Sequence, residues 1–166
     1  MAAAAAGGGH GLWSARTEMI GKIAISFTLL AVCVTIHAIG ITFLLSRLNG
    51  SSNLSDRRFW MPTLSLIKVA GQLVLLHLLE ISLWSLYYLA GQAMPDLASA
   101  LYFSSVTYTT TGYGDLVLPE RWRLVGGIEA LTGILMCGWS TGFFFTVVSR
   151  MFQEQQRIAA GAGPQP

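Results

Sequence analysis

The sequence predicts an all-α membrane protein: three spanning helices, with a short re-entrant helix between the second and the third. Three observations carry that expectation. Only 11% of the 166 residues are charged and 53% are hydrophobic, whereas a soluble domain carries about 25% charged residues to cover its surface. The apolar residues come in blocks, and a spanning helix needs about 20 of them in succession. The last two blocks are separated by a 28-residue segment, 95–122, that is itself largely apolar at its start. A soluble enzyme, a disordered chain and a nucleic-acid binder are excluded as first readings. The net charge of +2 is too small to imply a polyanion partner.

The leading MAAAAAGGGHG is low-complexity, and residues 1–19 are expected to be a disordered tail. Between Lys22 and Arg47 lie 24 residues without Asp, Glu, Lys or Arg, which predicts a first span over 20–46. That run is too long for a signal peptide and no small-x-small cleavage site closes it. It has no evident chemistry and is expected to pack peripherally against the second span. A linker follows at 47–61, and its stretch Asn53–Pro62 mixes Leu54, Phe59 and Trp60 with Arg57 and Arg58, as an interfacial segment does. Pro62 suits the first turn of a second span over 62–91, where Glu80 interrupts an otherwise uncharged run from Lys68 to Asp96. A third span is expected over 123–152, followed by a short tail, 153–166. Cys33 and Cys137 both lie in apolar blocks and read as small core residues.

Pro95 and Asp96 make a good helix start, with the carboxylate at the positive end of the helix dipole. The helix they open, 95–109, is about 14 residues and 21 Å long, too short to cross. It leads into Thr109-Thr110-Thr111-Gly112-Tyr113-Gly114-Asp115. With the spans on either side, this stretch closely resembles the pore of the potassium-channel family: outer helix 62–91, pore helix 95–109, filter 110–114 and inner helix 123–152. The short build is most similar to bacterial subunits of that family.

A dehydrating potassium ion needs oxygens in place of water, and successive backbone carbonyls supply them if they point the same way. An ordinary strand alternates its carbonyls, while glycine tolerates positive φ. Gly112 and Gly114 therefore allow the carbonyls of Thr110, Thr111, Gly112 and Tyr113 to face one axis, with the Thr110 hydroxyl as the innermost ligand. The resemblance implies potassium at these residues and at the Gly114 end of the filter, passive conduction and no other cofactor. One chain gives one wall, so it also implies a homotetramer in a lipid bilayer. The pore helix would aim its negative end at the membrane centre.

The chain departs from the family in its filter supports. Thr111 stands where valine is commonest, and its hydroxyl is expected to point behind the filter and recruit a water. Val106 stands where some members carry a glutamate that bonds the filter aspartate. Tyr102 can donate to Asp115, but Phe103 has no donor for the Tyr113 hydroxyl. The expectation is a filter held by fewer hydrogen bonds and prone to inactivate.

Gly133 falls where the family's inner-helix hinge glycine lies; the alternative is close helix packing. His37, His77, Glu80 and Glu129 lie at membrane depth, where ionisable residues are functional candidates. His77 and Glu80 share a face of the second span and could sense pH. A polar contact with His37 or with serines of the first span is the favoured reading. Glu129 is expected to form a structural ion pair with Arg123 or Arg121; the alternative is that it faces the outer vestibule.

The resemblance places the filter outside, the N-terminus outside and the C-terminus in the cytoplasm of a multi-pass cell-membrane protein. Arg47, Arg57, Arg58, Lys68, Arg150 and Arg157 then lie inside and Arg16, Lys22, Arg121 and Arg123 outside, a weak positive-inside bias. Trp60 is expected at the inner interface and Tyr87, Tyr88 and Trp122 at the outer one. No helix carries the basic repeat of a voltage sensor, so gating is expected from lipid, pH, the filter or an unidentified regulatory subunit. The alternatives are a weakly selective cation channel and a non-conducting subunit that keeps the pore fold. No nucleophile with a base, no metal-ligand cluster at close spacing and no phosphate loop supports an enzyme.

Overall fold

The structure, a computed structural model, describes residues 7–49 and 60–160. Among the described residues the elements are all helical: α1 (Gly7–Asn49), α2 (Trp60–Ala90), α3 (Leu97–Tyr108), a 3-10 turn (Glu120–Trp122) and α4 (Arg123–Ala159). Three stretches of these helices are long and apolar enough to cross a membrane: Arg16–Arg47, Thr63–Ala90 and Glu120–Arg157.

Two boundaries differ from expectation. Residues 7–19, expected to be disordered, form the first turns of α1. A helix already nucleated by an apolar span extends by one hydrogen bond per residue fixed, so its end outruns the apolar block. The Glu18–Lys22 ion pair, one turn apart, supports the extension. At the other end α4 continues to Ala159, where a tail was expected from 153, and Arg157 lies 3.7 Å from Glu154. The interfacial reading of 53–62 falls mostly on 50–59, outside the described residues.

Contacts divide the chain into two units, 1–33 with 81–134, and 34–80 with 135–166. In the first unit α3 and the loops beside it pack on α2 and α4 around Trp84, Tyr88, Phe103 and Trp122. Tyr88 and Trp122, expected in an interfacial belt, are instead buried. Their rings pack edge to face at 6.2 Å, with Tyr87 5.2 Å from Trp122 and the Lys22 ammonium 4.8 Å above it. A Cβ on Gly91 would overlap the Trp122 ring, so the missing side chain makes room for the indole.

The second unit is built by α1, α2 and α4. Ile41 and Leu44, Val69 and Leu73, and Phe143, Val147 and Met151 form its apolar cluster. Here α1 packs on α4 as well as on α2, which is more than the peripheral contact expected of it. Lipid tails are as apolar as leucine, so close fit rather than water exclusion holds such helices together. Gly40 serves that fit, since a Cβ there would press on Leu76 of α2.

Candidate functional site

α3 is fixed at both ends. Asp96 caps it: its carboxylate accepts from the Ser99 amide at 2.9 Å and from the Ser99 hydroxyl at 2.9 Å. Those bonds favour the charged form and hold the Asp96 carboxyl below its ordinary range. At the far end the Thr109 and Thr110 amides donate back to the Ser105 and Thr107 carbonyls at 3.1 and 2.9 Å.

The chain then leaves the helix with alternating hand. Thr110, Gly112 and Gly114 have φ of 58°, 52° and 79°, while Thr111 and Tyr113 between them do not take positive φ. The two glycines accept this freely. Thr110 is β-branched and does not, so its left-handed backbone stores strain of about 1–3 kcal/mol. The glycine pattern carries no sign of that third position. Alternation of hand turns successive carbonyls to one side of the chain. Among the described residues, the carbonyls of Thr110, Thr111, Gly112 and Tyr113 accept no main-chain hydrogen bond. The whole loop from Thr109 to Val117 is exposed on the single chain.

The supports of this loop are partly those expected. Tyr102 donates to Asp115 Oδ2 at 2.6 Å. That bond holds the Asp115 carboxyl below, and the Tyr102 hydroxyl above, its ordinary range. Phe103 makes no polar tie; its ring meets Tyr88 edge to face at 5.3 Å. Val106 cannot bond the loop through its side chain but does so through its backbone, its carbonyl accepting from the Gly112 amide at 3.1 Å. The Thr111 hydroxyl, expected to recruit a water, lies 3.0 Å from the Thr109 hydroxyl.

Tyr102→Phe therefore removes the side-chain tie at Asp115 and is expected to speed current decay several-fold in patch recordings. Because the folded Asp115 carboxyl titrates below its ordinary value of 3.8, the tie is present above that value and lost only as pH falls beneath it. Acidification from pH 7 to about 5 should therefore not reproduce the variant's decay.

Gly133 of α4 sits against the end of α3: a Cβ there would overlap the Tyr108 carbonyl. The packing reading of Gly133 thus has a named contact. Glu129, one turn earlier, is buried and accepts from the Tyr88 hydroxyl at 2.7 Å and from the Ser104 hydroxyl. The expected ion pair is not formed; Arg123 instead lies 3.8 Å from Glu120. In the second unit Glu80 is fully buried, and its nearer partner is His37, at 2.8 Å, rather than His77, at 3.9 Å. His37 reaches Ser140 of α4 with its other ring nitrogen, at 2.9 Å. The favoured contact with His37 is present, and the serine comes from α4 rather than from the first span.

Residues 74–150 match the family model described as "Ion channel". Over 69 residues the chain is 33% identical to the potassium voltage-gated channel protein Shal of Drosophila melanogaster, a stretch covering 40% of this chain and 12% of that relative. The chain thus spans a small part of the length of the curated relative it matches. No solved structure matches it. The family match runs from within α2 through α3 and the 109–115 loop into α4. The chain thus has three helices of membrane-spanning length and, over residues 74–150, similarity to an ion-channel family.

Proposed function

We propose that the chain conducts potassium passively as a homotetramer, through a filter of backbone carbonyls from Thr110 to Gly114. The observation that supports this most is the run of four successive carbonyls without main-chain partners, on an exposed loop of alternating hand. On the single chain water can reach these carbonyls, so they are free to take up another partner. Four such walls around an axis would satisfy these with an ion that has shed its water. The Thr110 hydroxyl supplies the innermost ring, and the α3 dipole favours the cation below it. The filter faces outward, the N-terminus lies outside and the C-terminus in the cytoplasm. In α4, Gly133 packs against the end of α3 rather than acting as a hinge.

Potassium-loaded proteoliposomes in a sodium bath test this. Wild type should show potassium flux and the mass of four chains. Gly112→Ala places a side chain at a left-handed position and should abolish selective flux. Equal sodium and potassium permeability would favour the weakly selective reading. A folded chain that is monomeric and silent would sink the proposal.

A further inference from the structure

Most of the polar groups buried at membrane depth serve the contacts already described. The cluster around Glu80 is different, because its donor set is that of a metal site. One ligand atom each from His37, His77 and Glu80 lie within 4.8 Å of one another. His37 comes from α1, and His77 and Glu80 from successive turns of α2. The His37 and His77 rings are tilted by 41°, with centroids 5.2 Å apart. All three residues belong to the second unit.

We propose that His37, His77 and Glu80 form a binding site for a divalent transition-metal cation of the zinc class, tying α1 to α2 at membrane depth. Two imidazoles and one carboxylate are a zinc ligand set, with each donor about 2.0–2.2 Å from the ion. Donors around such an ion stand about 3.3 Å apart, so donors now within 4.8 Å of one another need only a small closure. A metal-ligating histidine characteristically bonds an outer group through its second nitrogen, which fixes the tautomer and aims the ring. His37 has that arrangement: Nε2 meets the Ser140 hydroxyl while Nδ1 faces Glu80. In the tautomer with Nε2–H donating to Ser140, the Nδ1 lone pair faces the carboxylate oxygen at 2.8 Å and the place between them suits a cation; in the other tautomer Nδ1–H donates to Glu80 itself. A proton can fill that place, and the metal must compete with it. The cation would also offset part of the cost of burying the Glu80 charge in hydrocarbon. Ser140, bonded to the His37 ring, stands beside the cluster on α4.

The sequence suggests the contact of His37 with Glu80 but not a metal site, because the ligands are 43 residues apart. The site also stands apart from the conduction reading, since binding is measured without any ion flux. The test uses full-length, tag-free protein in detergent, stripped with a chelator and titrated with zinc, with cobalt(II) as an optical reporter. One metal per chain is expected, with cobalt visible bands of tetrahedral nitrogen and oxygen ligation. His77→Asn and Glu80→Gln should each weaken zinc binding by at least about tenfold. His10→Asn, the chain's remaining histidine, should leave it unchanged. His37→Asn removes a fully buried group and can fail to fold, so the half-buried His77 carries the decision. Folded wild-type protein with no saturable zinc binding overturns the proposal. So does binding that survives His77→Asn and Glu80→Gln at full strength, or that disappears with His10→Asn.

Discussion

Gly133→Ala is expected to destabilise the fold and silence ion flux together, although alanine is the better helix former by about 1 kcal/mol. The cause is the neighbour. The three atoms nearest an added Cβ are all backbone atoms of Tyr108, in the last turn of α3. A flexible side chain could swing aside, but a helix end cannot without moving the helix. Overpacking of that kind costs about 1–3 kcal/mol and often more. Tyr108 is two residues from Thr110, where the backbone turns left-handed. Displacing it moves the first carbonyl of the proposed filter, and positions of that sort tolerate little movement. Thermal denaturation in detergent separates the two readings of Gly133. A hinge predicts altered gating at unchanged stability, because alanine would only stiffen the helix. Packing predicts a lower melting temperature and lost flux. Gly127→Ala is the control, since a Cβ there meets nothing within 4 Å. It should be as stable as wild type or more so.

The sequence made some of this legible and hid the rest for a physical reason. Spans are legible because a bilayer imposes a length and a composition on each of them separately. The Asp96 cap is legible because its bond is to Ser99, three residues away. The left-handed turns of the 109–115 loop are legible in part because φ preferences are local, and Gly112 and Gly114 announce them. Pairing across helices was legible only in part: the contact of Glu80 with His37 is present, but that of Glu129 is not the one expected. Glu129 was assigned to arginines nearby in the chain, whereas its partners Tyr88 and Ser104 lie 41 and 25 residues away. A signal was present even so. Glu129, Met136, Ser140, Phe143, Val147 and Met151 recur at steps of three, four and seven, and all are buried. A carboxylate on that stripe faces other helices rather than solvent, and needs neutral donors there. Thr110 was missed in another way. Nothing about a threonine predicts a left-handed backbone, and only the surrounding structure holds it there.

Glu129→Ala should be among the most damaging substitutions in the chain, and Glu129→Gln nearly harmless. Glu129 joins three helices of the first unit, since Tyr88 is on α2, Ser104 on α3 and the carboxylate itself on α4. Alanine leaves the Tyr88 hydroxyl buried without its acceptor, at about 1–3 kcal/mol. It also opens a cavity beside Ser104, a residue with no solvent exposure. Ser104 keeps one partner, the Ile81 carbonyl at 3.0 Å. That detail favours glutamine. Ser104 has a single hydroxyl proton, yet both the Ile81 carbonyl and the Glu129 carboxyl lie within its reach. An amide at 129 resolves the competition: its N–H donates to the Ser104 oxygen, the Ser104 proton goes to Ile81, and the amide oxygen still accepts from Tyr88. Glutamine also can never carry a charge, which lipid depth penalises. Melting temperatures of the two variants in detergent decide the matter. A loss of about 3 kcal/mol or more in alanine with little change in glutamine is expected. Equal damage from both would mean that the charge itself holds α3 in place, and an unseen cation would then have to be sought near Glu129.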